Sequence, residues 1–468
     1  MSTTRPRKKR KSAGFLFFLF VFAFIAAFAM SRQSSSEKQD KTVVIDDTTA
    51  YYEYKTEGKT SSTDFWNTTK STTKTTAERT TTKRTAKSYT TGRTTSEYKT
   101  NWWNTTTTTK RIIEEQPSRP TCISYNTLSN AEKAVYNLAC SNIENGLNQV
   151  SFSYSVNDDG ALARKIFRAV VYDHPEYFWL NNGSNIKRYK KNGQMGYTVY
   201  FGNYKFWNYI TDKQKYIDAF NNQANEIVRL ASQNTTDYNR IKYVHDYLAL
   251  NNVYDHDAAD HCFDKELDTK YEYAYTTYGS IMNRKCVCAG YAKAFQLITQ
   301  KMGYACAYVC GPVSETDSHA WNSIKINGKY YNVDVTWDDR NDNRYKNAVS
   351  YLYFCIPDSE MYLTRKPYDF VVAPKAVNND LRYYRKNSCY LLVYSFEDVN
   401  RILQKQKNAQ CVGIEFNSSA LAEKAYKELY NDKRLWNIDA VKENSFYSTS
   451  YIAGLRSDGG SVIEFLIS

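Results

Sequence analysis

The chain has 468 residues, a formal net charge of +13 and 42% hydrophobic residues, which is enough for two or three domains. The excess of basic residues lies near the N-terminus, because residues 121–468 contain 40 Lys and Arg against 38 Asp and Glu. A nucleic-acid-binding protein needs a basic cluster on its folded part. The charge distribution therefore argues against nucleic acid as a partner.

The N-terminus has the pattern of an export signal. A basic tail at residues 1–12 precedes an uncharged run of 18 residues at 13–30, and about 20 apolar residues suffice to cross a bilayer as a helix. Basic residues favour the cytoplasmic side, so we expect one membrane helix with the rest of the chain outside the cell. The alternative is a cleaved signal peptide, since Ala27-Phe28-Ala29 fits a cleavage site, and the chain would then be secreted.

Residues 31–120 are dominated by Thr, Ser, Lys and Tyr. Such a composition cannot bury enough apolar surface to offset the entropy of ordering the chain. We predict a disordered stalk. It contains FWNTT at 65–69 and WWNTT at 102–106, and the pattern is consistent either with drift in low-complexity sequence or with a duplicated docking motif.

Beyond residue 120 the apolar spacing predicts both helices and strands. The expected helices are Ser129–Gly146, Gly160–Val171, Lys213–Ala231, Asp237–Tyr247, 288–302, Phe396–Lys407 and Ser419–Leu429, and the expected strands are 197–201, 304–310, Cys389–Tyr394, Cys411–Phe416 and Val462–Ile467. Without a clean parallel alternation this order predicts an α+β fold. We expect a helical lead-in with some strand at 121–235, a core at 236–365 and a small α+β module at 370–468.

A β-hairpin is predicted around Asn327-Gly328, since these two residues favour a type I′ turn between alternating runs. In that register His319 faces Thr336 and Trp321 faces Asp334. His319 and Asp334 then share one face as diagonal neighbours, about 7–8 Å apart, while the opposite face is core. An imidazole oriented in this way by a carboxylate can act as general base and acid.

Cys288 is the candidate nucleophile for this histidine. It begins the predicted helix 288–302, where unpaired N–H groups and the helix dipole favour a thiolate. Gly290 leaves room for a close backbone approach. Cys286 lies before the helix and lacks that field. The sequence therefore favours Cys288.

Three motifs resemble the bacterial transglutaminase-like superfamily in order and spacing. They are CAGYA at 288–292, HAWN at 319–322 and VDVTWD at 333–338, and the upstream stretches 244–248, 254–255 and 278–279 are also similar. The resemblance implies a papain-like core with Cys288 as nucleophile, His319 as base and acid and Asp334 as orienting residue. It implies acyl transfer on protein or peptide amides, by hydrolysis as in a cysteine peptidase or by cross-linking to an amine, without a cofactor.

The expected partners are protein substrates or cell-wall peptides at the cell surface. The alternative function is a catalytically inactive scaffold that holds a peptide in the same cleft. For the second oxyanion donor, beside the Cys288 N–H, the sequence offers Tyr278 or Asn283. His245 is expected to be a packed core residue, because it lies on an apolar helical stripe.

The other cysteines admit two further interpretations. Cys286-x-Cys288 and Cys306-x3-Cys310 resemble zinc-ligand pairs, but residues four apart on a strand are separated by about 13 Å, so we predict no metal. Most of the ten cysteines are expected to be reduced. Disulfides Cys122–Cys140 and Cys389–Cys411 are the alternatives, and Cys286 could form a regulatory disulfide near the site.

Overall fold

A computed structural model describes the protein at residues 44–46, 49–51, 119–154, 159–191, 194–262, 268–315, 317–341, 347–443, 446–452 and 460–467. The predicted basic tail and membrane helix lie outside these residues. Of the predicted stalk, beyond its last residues 119 and 120, two three-residue strands are described, Val44–Asp46 and Thr49–Tyr51. Within the described ranges no helix has the length and apolar character needed to cross a bilayer.

The lead-in region forms a three-stranded antiparallel sheet with two helices. The strands, in spatial order, are Gln149–Tyr154, Gln194–Asn203 and Leu180–Lys191. The helices are Asn130–Glu144 and Ala161–Asp173, and short 3₁₀ helices occur at Tyr125–Thr127 and Lys205–Tyr209. Ser129 and Glu132 form a capping box that fixes the start of the first helix. Both helices were predicted, with ends within a few residues of those observed.

The core is built around one buried helix, Cys288–Lys301, which we call the central helix. Ten successive residues, 290–299, are buried along it, so it is covered on every side. The other helices of the core are Lys213–Ala231, Asp237–Asn251, His256–Asp260, Thr269–Glu272, Val335–Asp338 and Asp358–Met361, with a 3₁₀ helix at Tyr273–Tyr275 and a π-helical turn at Gly279–Asn283. A short parallel pair, Val253–Tyr254 with Lys285–Cys286, leads into the central helix.

Beside the central helix lies a four-stranded antiparallel sheet, the central sheet. Its strands, in spatial order, are Phe354–Ile356, Lys329–Val333, Ser318–Ile326 and Cys306–Pro312. The predicted hairpin is confirmed, because Asn327 and Gly328 have φ values of 50° and 83° and Lys329 pairs with Ile326.

The predicted register fails beyond Val333, which pairs with Asn322. Asp334 leaves the strand and caps the short helix Val335–Asp338, accepting a hydrogen bond from the Trp337 N–H. The pairings of His319 with Thr336 and of Trp321 with Asp334 were therefore wrong. The expectation of a single core face was also incomplete, because His319, Ala320, Trp321 and Asn322 are all buried.

The C-terminal module is a mixed sheet flanked by short helices. The strands, in spatial order, are Tyr390–Leu391, Cys411–Phe416, Ser461–Ile467 and Phe446–Ile452. The helices are Tyr383–Lys386, Phe396–Lys405, Ser419–Tyr426 and Asp439–Glu443, with a π-helical turn at Lys427–Asn431 and a 3₁₀ helix at Arg434–Asn437. The strand expected at Cys389–Tyr394 is shorter because Leu392 and Val393 point outward, 65% and 74% exposed. Strand Phe446–Ile452 was not predicted.

The central sheet and the C-terminal module share one hydrophobic core. Val309 and Trp321 of the sheet belong to the same buried cluster as Leu403, Phe416 and Phe465 of the module. The module therefore covers the face of the sheet that the central helix leaves open, and the described chain mixes helices and strands as the sequence predicted.

Candidate active site

Cys288 is the first residue of the central helix. The preceding residue, Val287, is the N-cap and supplies no side-chain hydrogen bond to the helix. The first N–H groups thus lack the usual capping oxygen, and they lie where an anion is favoured. The thiol is half-buried and packs against a small cluster of Ala292, Tyr308 and Ala320.

Gly290 allows the chain to fold tightly at this point. A Cβ at position 290 would lie 2.5 Å from the Cβ of Cys286 and 2.8 Å from the carbonyl oxygen of Ala274. Carbon atoms do not approach this closely without displacement, so the predicted need for a glycine is confirmed. Cys286 itself is buried against this turn, and burial raises the pKa of its thiol well above the ordinary value.

His319 and Asp334 meet although their strand pairing is absent. His319 Nε2 lies 2.7 Å from Asp334 Oδ2, and both side chains are buried. Burial is the largest single effect and would lower the pKa of His319, but the charges of Asp334 and Cys288 and the hydrogen bonds to both groups together outweigh it and raise the pKa to about 9. The imidazole is therefore protonated near neutral pH, between the Asp334 carboxylate and the Cys288 sulfur.

Two further polar residues, Tyr254 and Lys293, interact electrostatically with Cys288. Burial raises the pKa of the Tyr254 phenol, and the charge of Cys288 is the next cause. Tyr254 pairs in register with Cys286 on the short parallel strands, which brings its ring beside the turn that carries the nucleophile. Lys293 of the central helix donates to the Tyr275 carbonyl at 3.1 Å, and burial lowers its pKa to about 8.

Sequence reasoning missed two residues of this site. Tyr254 lies next to Asp255 in a stretch that already resembled the superfamily, so that resemblance was a usable signal. Arg365 forms an ion pair with Asp334 and is fully buried. It lies 31 residues from Asp334 and in no motif, so no sequence pattern pointed to it.

The two oxyanion donors suggested by the sequence, Tyr278 and Asn283, lie in different parts of the structure. The Tyr278 ring is in the aromatic core and stacks on Tyr216 at 4.4 Å. Asn283 is exposed and lines a cavity of about 400 Å³ together with Asp255 and Lys285. Trp337 lies against His319 with ring centroids 5.3 Å apart, so its indole forms one wall beside the imidazole.

All ten cysteines fall within the described ranges and are free thiols. Neither Cys122–Cys140 nor Cys389–Cys411 is bridged. Cys306 and Cys310 lie on one strand of the central sheet, as the argument against a zinc site assumed. In the described part of the chain, no group of three His, Cys, Asp or Glu side chains is arranged to hold a metal ion.

A second Cys-His-carboxylate arrangement occurs in the lead-in region. Cys140 Sγ lies 3.3 Å from His174 Nε2, and His174 Nδ1 lies 2.7 Å from Glu176 Oε1. Cys140 is only 1% exposed, and the Tyr177 ring stacks on His174 at 4.8 Å. A sulfur enclosed in this way cannot reach a peptide, so this cluster is structural, whereas the half-buried Cys288 is accessible.

Comparison with known protein families supports the resemblance found in the three motifs. Residues 223–335 match the family model Transglut_core, described as the transglutaminase-like superfamily. The match includes Cys288, His319 and Asp334, so the central part of the chain is similar to transglutaminase-like domains, in agreement with the resemblance of its motifs. Proteins of this superfamily are usually cysteine acyltransferases or peptidases.

Two solved structures show a weaker likeness. One is a TGase with 16% identity, covering 42% of this chain and 53% of that chain, with a TM-score of 0.26. The other is a "putative cysteine protease" from Cytophaga hutchinsonii with 14% identity, covering 33% and 62%, with a TM-score of 0.19. The chain thus spans between about half and three fifths of their lengths, and such scores do not define a common fold. No curated protein matches the chain.

Proposed function

We propose that the protein is a thiol acyl-transfer enzyme of transglutaminase-like type that acts on protein or peptide amides through Cys288, His319 and Asp334. The observation that carries the proposal is the 2.7 Å contact between His319 and Asp334 beside a half-buried cysteine at an uncapped helix start. A nucleophile, a base that also serves as acid and an orienting carboxylate are the parts that such chemistry needs.

In the first step the Cys288 thiolate attacks the amide carbon and forms a tetrahedral intermediate. The C–N bond then breaks, and His319 gives its proton to the departing amine, leaving a thioester on Cys288. Asp334 holds the imidazole in place and stabilises its protonated form. The raised pKa of His319, about 9, suits this role because the imidazole carries the proton when the amine must leave.

In the second step water or a primary amine attacks the thioester carbonyl. His319, now neutral, removes a proton from the attacking group, and the C–S bond breaks to restore the thiolate. Water gives a carboxylic acid, which is hydrolysis, and an amine gives a new amide, which is cross-linking.

Both tetrahedral intermediates carry an oxyanion that needs two donors. The Cys288 N–H is one. We propose the Tyr254 hydroxyl as the second in place of Tyr278, because Tyr254 pairs with Cys286 and packs against the cluster that contains Val287, the residue before Cys288. The Tyr278 ring is instead held in the core by Phe178 and Tyr216.

Thiol alkylation provides the central test. With iodoacetamide at about pH 6, an ordinary thiol reacts slowly because little thiolate is present. We expect Cys288 to react faster than Cys262, although Cys262 is the exposed thiol and Cys288 is half-buried. Peptide mapping by mass spectrometry measures both rates in one sample.

Cys262 is exposed and controls only for accessibility, because partial desolvation raises its own thiol pKa; the His319→Gln variant tests activation of Cys288. His319→Gln should remove the advantage of Cys288 without changing the rate at Cys262. If Cys262 reacts first in the wild-type protein, the site is inactive, and the alternative of a peptide- or cell-wall-binding scaffold is favoured.

A paired substrate assay separates the two reactions. The protein is offered a fluorescent primary amine together with a glutamine-containing protein, with Cys288→Ser as the control. Incorporation that depends on Cys288 indicates cross-linking, and cleavage without incorporation indicates a peptidase. If Cys288 reacts with iodoacetamide but neither incorporation nor cleavage is seen, the substrate belongs to another class.

We also propose that the enzyme works outside the cell membrane, held by the apolar run at 13–30 or secreted after its cleavage. The support is the order of basic tail, apolar run and Thr-rich stalk in the sequence. Protease added to intact cells should cut the stalk and release a fragment that contains Cys288. Protection of the whole chain would contradict this location.

A further inference from the structure

The guanidinium of Arg365 lies directly behind the His319–Asp334 pair. Its Nη1 is ion-paired with Asp334 Oδ2, the same oxygen that contacts His319. Its central carbon lies 3.6 Å from the centre of the Trp337 ring, a close cation–π contact. Arg365 thus contacts two of the groups that touch the imidazole, Asp334 and Trp337.

Trp337 contacts both members of the His319–Asp334 pair. Its backbone N–H donates to Asp334 Oδ1 at 3.2 Å, and its ring lies against His319. The carboxylate on one edge of the imidazole and the indole beside it are therefore both held by one guanidinium.

The segment that carries Arg365 is fixed against the strand beside His319. Gly311 pairs with His319 in the central sheet, and a Cβ at Gly311 would lie 1.7 Å from the Lys366 carbonyl oxygen. Tyr368 N–H donates to the Cys310 carbonyl at 3.0 Å. The segment can lie this close because position 311 has no side chain.

The buried charge of Arg365 calls for a physical reason. The side chain has no exposed surface, and its Nη2 is buried without a hydrogen-bond partner. Burying a guanidinium and leaving a donor unpaired is unfavourable, and an apolar side chain of similar size would fill the space at lower cost. A role that uses the charge explains why a guanidinium is there.

We infer that Arg365 is a positioning residue for His319, its guanidinium holding the Asp334 carboxylate and the Trp337 ring against the imidazole. The inference rests on the proposed function. The Arg365 side chain is fully buried and cannot reach a substrate, so it acts through Asp334 and Trp337. It also helps to keep Asp334 ionised: burial would raise the pKa of that carboxyl, but His319 and then Arg365 lower it.

The test compares Arg365→Met and Arg365→Lys with Arg382→Met in the full chain. Arg382 is an equally buried arginine, paired with Glu360 and Glu415, and it is a matched control for losing a buried cation away from His319. The first readout is the alkylation rate of Cys288. We expect a loss of about tenfold or more in Arg365→Met, a smaller loss in Arg365→Lys, which keeps the charge, and none in Arg382→Met.

The second readout is the titration of the His319 imidazole by NMR, which is tractable because the chain has five histidines. Asp334, Cys288 and Arg365 are the charged groups that surround this ring. Removing the positive charge should move the His319 midpoint upward in Arg365→Met and leave it unchanged in Arg382→Met, because a nearby cation opposes protonation.

An unchanged Cys288 rate and His319 midpoint in Arg365→Met, or equal shifts in Arg382→Met, would overturn the inference. Failure of the proposed function looks different. In that case Cys288 is alkylated no faster than Cys262 even in the wild-type protein. The His319 titration still reports whether Arg365 acts on the imidazole. Circular dichroism melting confirms that each variant is folded before it is measured.

Discussion

His245 is buried in the helix Asp237–Asn251 between two carboxylates. Its Nδ1 lies 3.0 Å from Asp246 Oδ1 and its Nε2 lies 3.1 Å from Asp338 Oδ2. Asp338 in turn accepts a hydrogen bond from the Tyr353 N–H, and the Tyr353 carbonyl accepts one from the Asp334 N–H. This packed histidine, as predicted, is satisfied by its partners, and it also supports the turn that carries Asp334.

The charge of His245 predicts a pH-dependent stability. Burial would lower its pKa, but the hydrogen bonds to Asp246 and Asp338 raise it from 6.5 to about 8. A folded pKa above the unfolded value means that the contribution is fully present below about pH 6.5 and is lost as the pH rises through about 8. The wild-type protein should therefore lose its advantage over His245→Gln in the free energy of unfolding as the pH rises over that interval.

Denaturant unfolding at about pH 6.5 and about pH 9 measures this effect. The stability difference between wild type and His245→Gln should shrink by about 1.5 kcal/mol between the two conditions. His319 is present in both proteins, so its contribution to the pH dependence cancels in the difference. His261→Gln, at an exposed position, is the control. A difference that does not change with pH would contradict the assignment of a charged His245.

At the scale of elements, the central helix and the hairpin were the best-determined parts of the site. Periodic apolar residues and Gly303, which has φ +90°, set the end of the helix. The Asn327-Gly328 turn set the register as far as Val333. The point where the chain leaves the strand at Asp334 was not encoded in the alternation, because both Val333 and Val335 are buried.

The tight start of the central helix predicts a steric effect at Gly290. In Gly290→Ala the new methyl group would collide with Cys286 and with the Ala274 carbonyl. We expect a loss of about 1–3 kcal/mol in the free energy of unfolding and a slower alkylation of Cys288. Lys301→Ala, in the exposed last turn of the same helix, should change stability by no more than about 0.5 kcal/mol. Equal stability of the two variants would refute the close packing.

At the scale of the whole molecule, Glu464 joins the C-terminal module to the core. Its carboxylate accepts hydrogen bonds from Arg340 at 3.0 Å and from Ser350, both in the core, and from Tyr384 at 3.1 Å in the module. Glu464 is 1% exposed. The module is therefore attached by a buried polar network as well as by the shared hydrophobic core.

This attachment predicts cooperative unfolding. Glu464→Leu leaves the partly exposed Arg340 and the buried Ser350 hydroxyl without their acceptor, and losing the partner of such groups costs about 1–3 kcal/mol. Because the core and the module share buried residues, unfolding should remain a single transition that moves to lower temperature. Glu423→Gln, on the exposed face of a module helix, should leave the transition in place. Separate transitions for module and core would contradict the shared core.

The sequence by itself determined the nature of this protein's central domain. The order of Cys288, His319 and Asp334, the helix start and the hairpin turn are local properties, fixed by residue type and spacing along a few residues. They were sufficient to predict a mixed helical and stranded fold and a transglutaminase-like core. The membrane segment and the stalk remain predictions of composition.

The tertiary structure decided what distant segments contribute to the site. Asp334 reaches His319 from a helix cap rather than from a strand, and Arg365 comes from a segment that no local pattern connects to Cys288. These contacts depend on how the central helix, the central sheet and the C-terminal module pack against one another. Packing is set by the shapes and charges of many residues at once, so short-range spacing could not predict it.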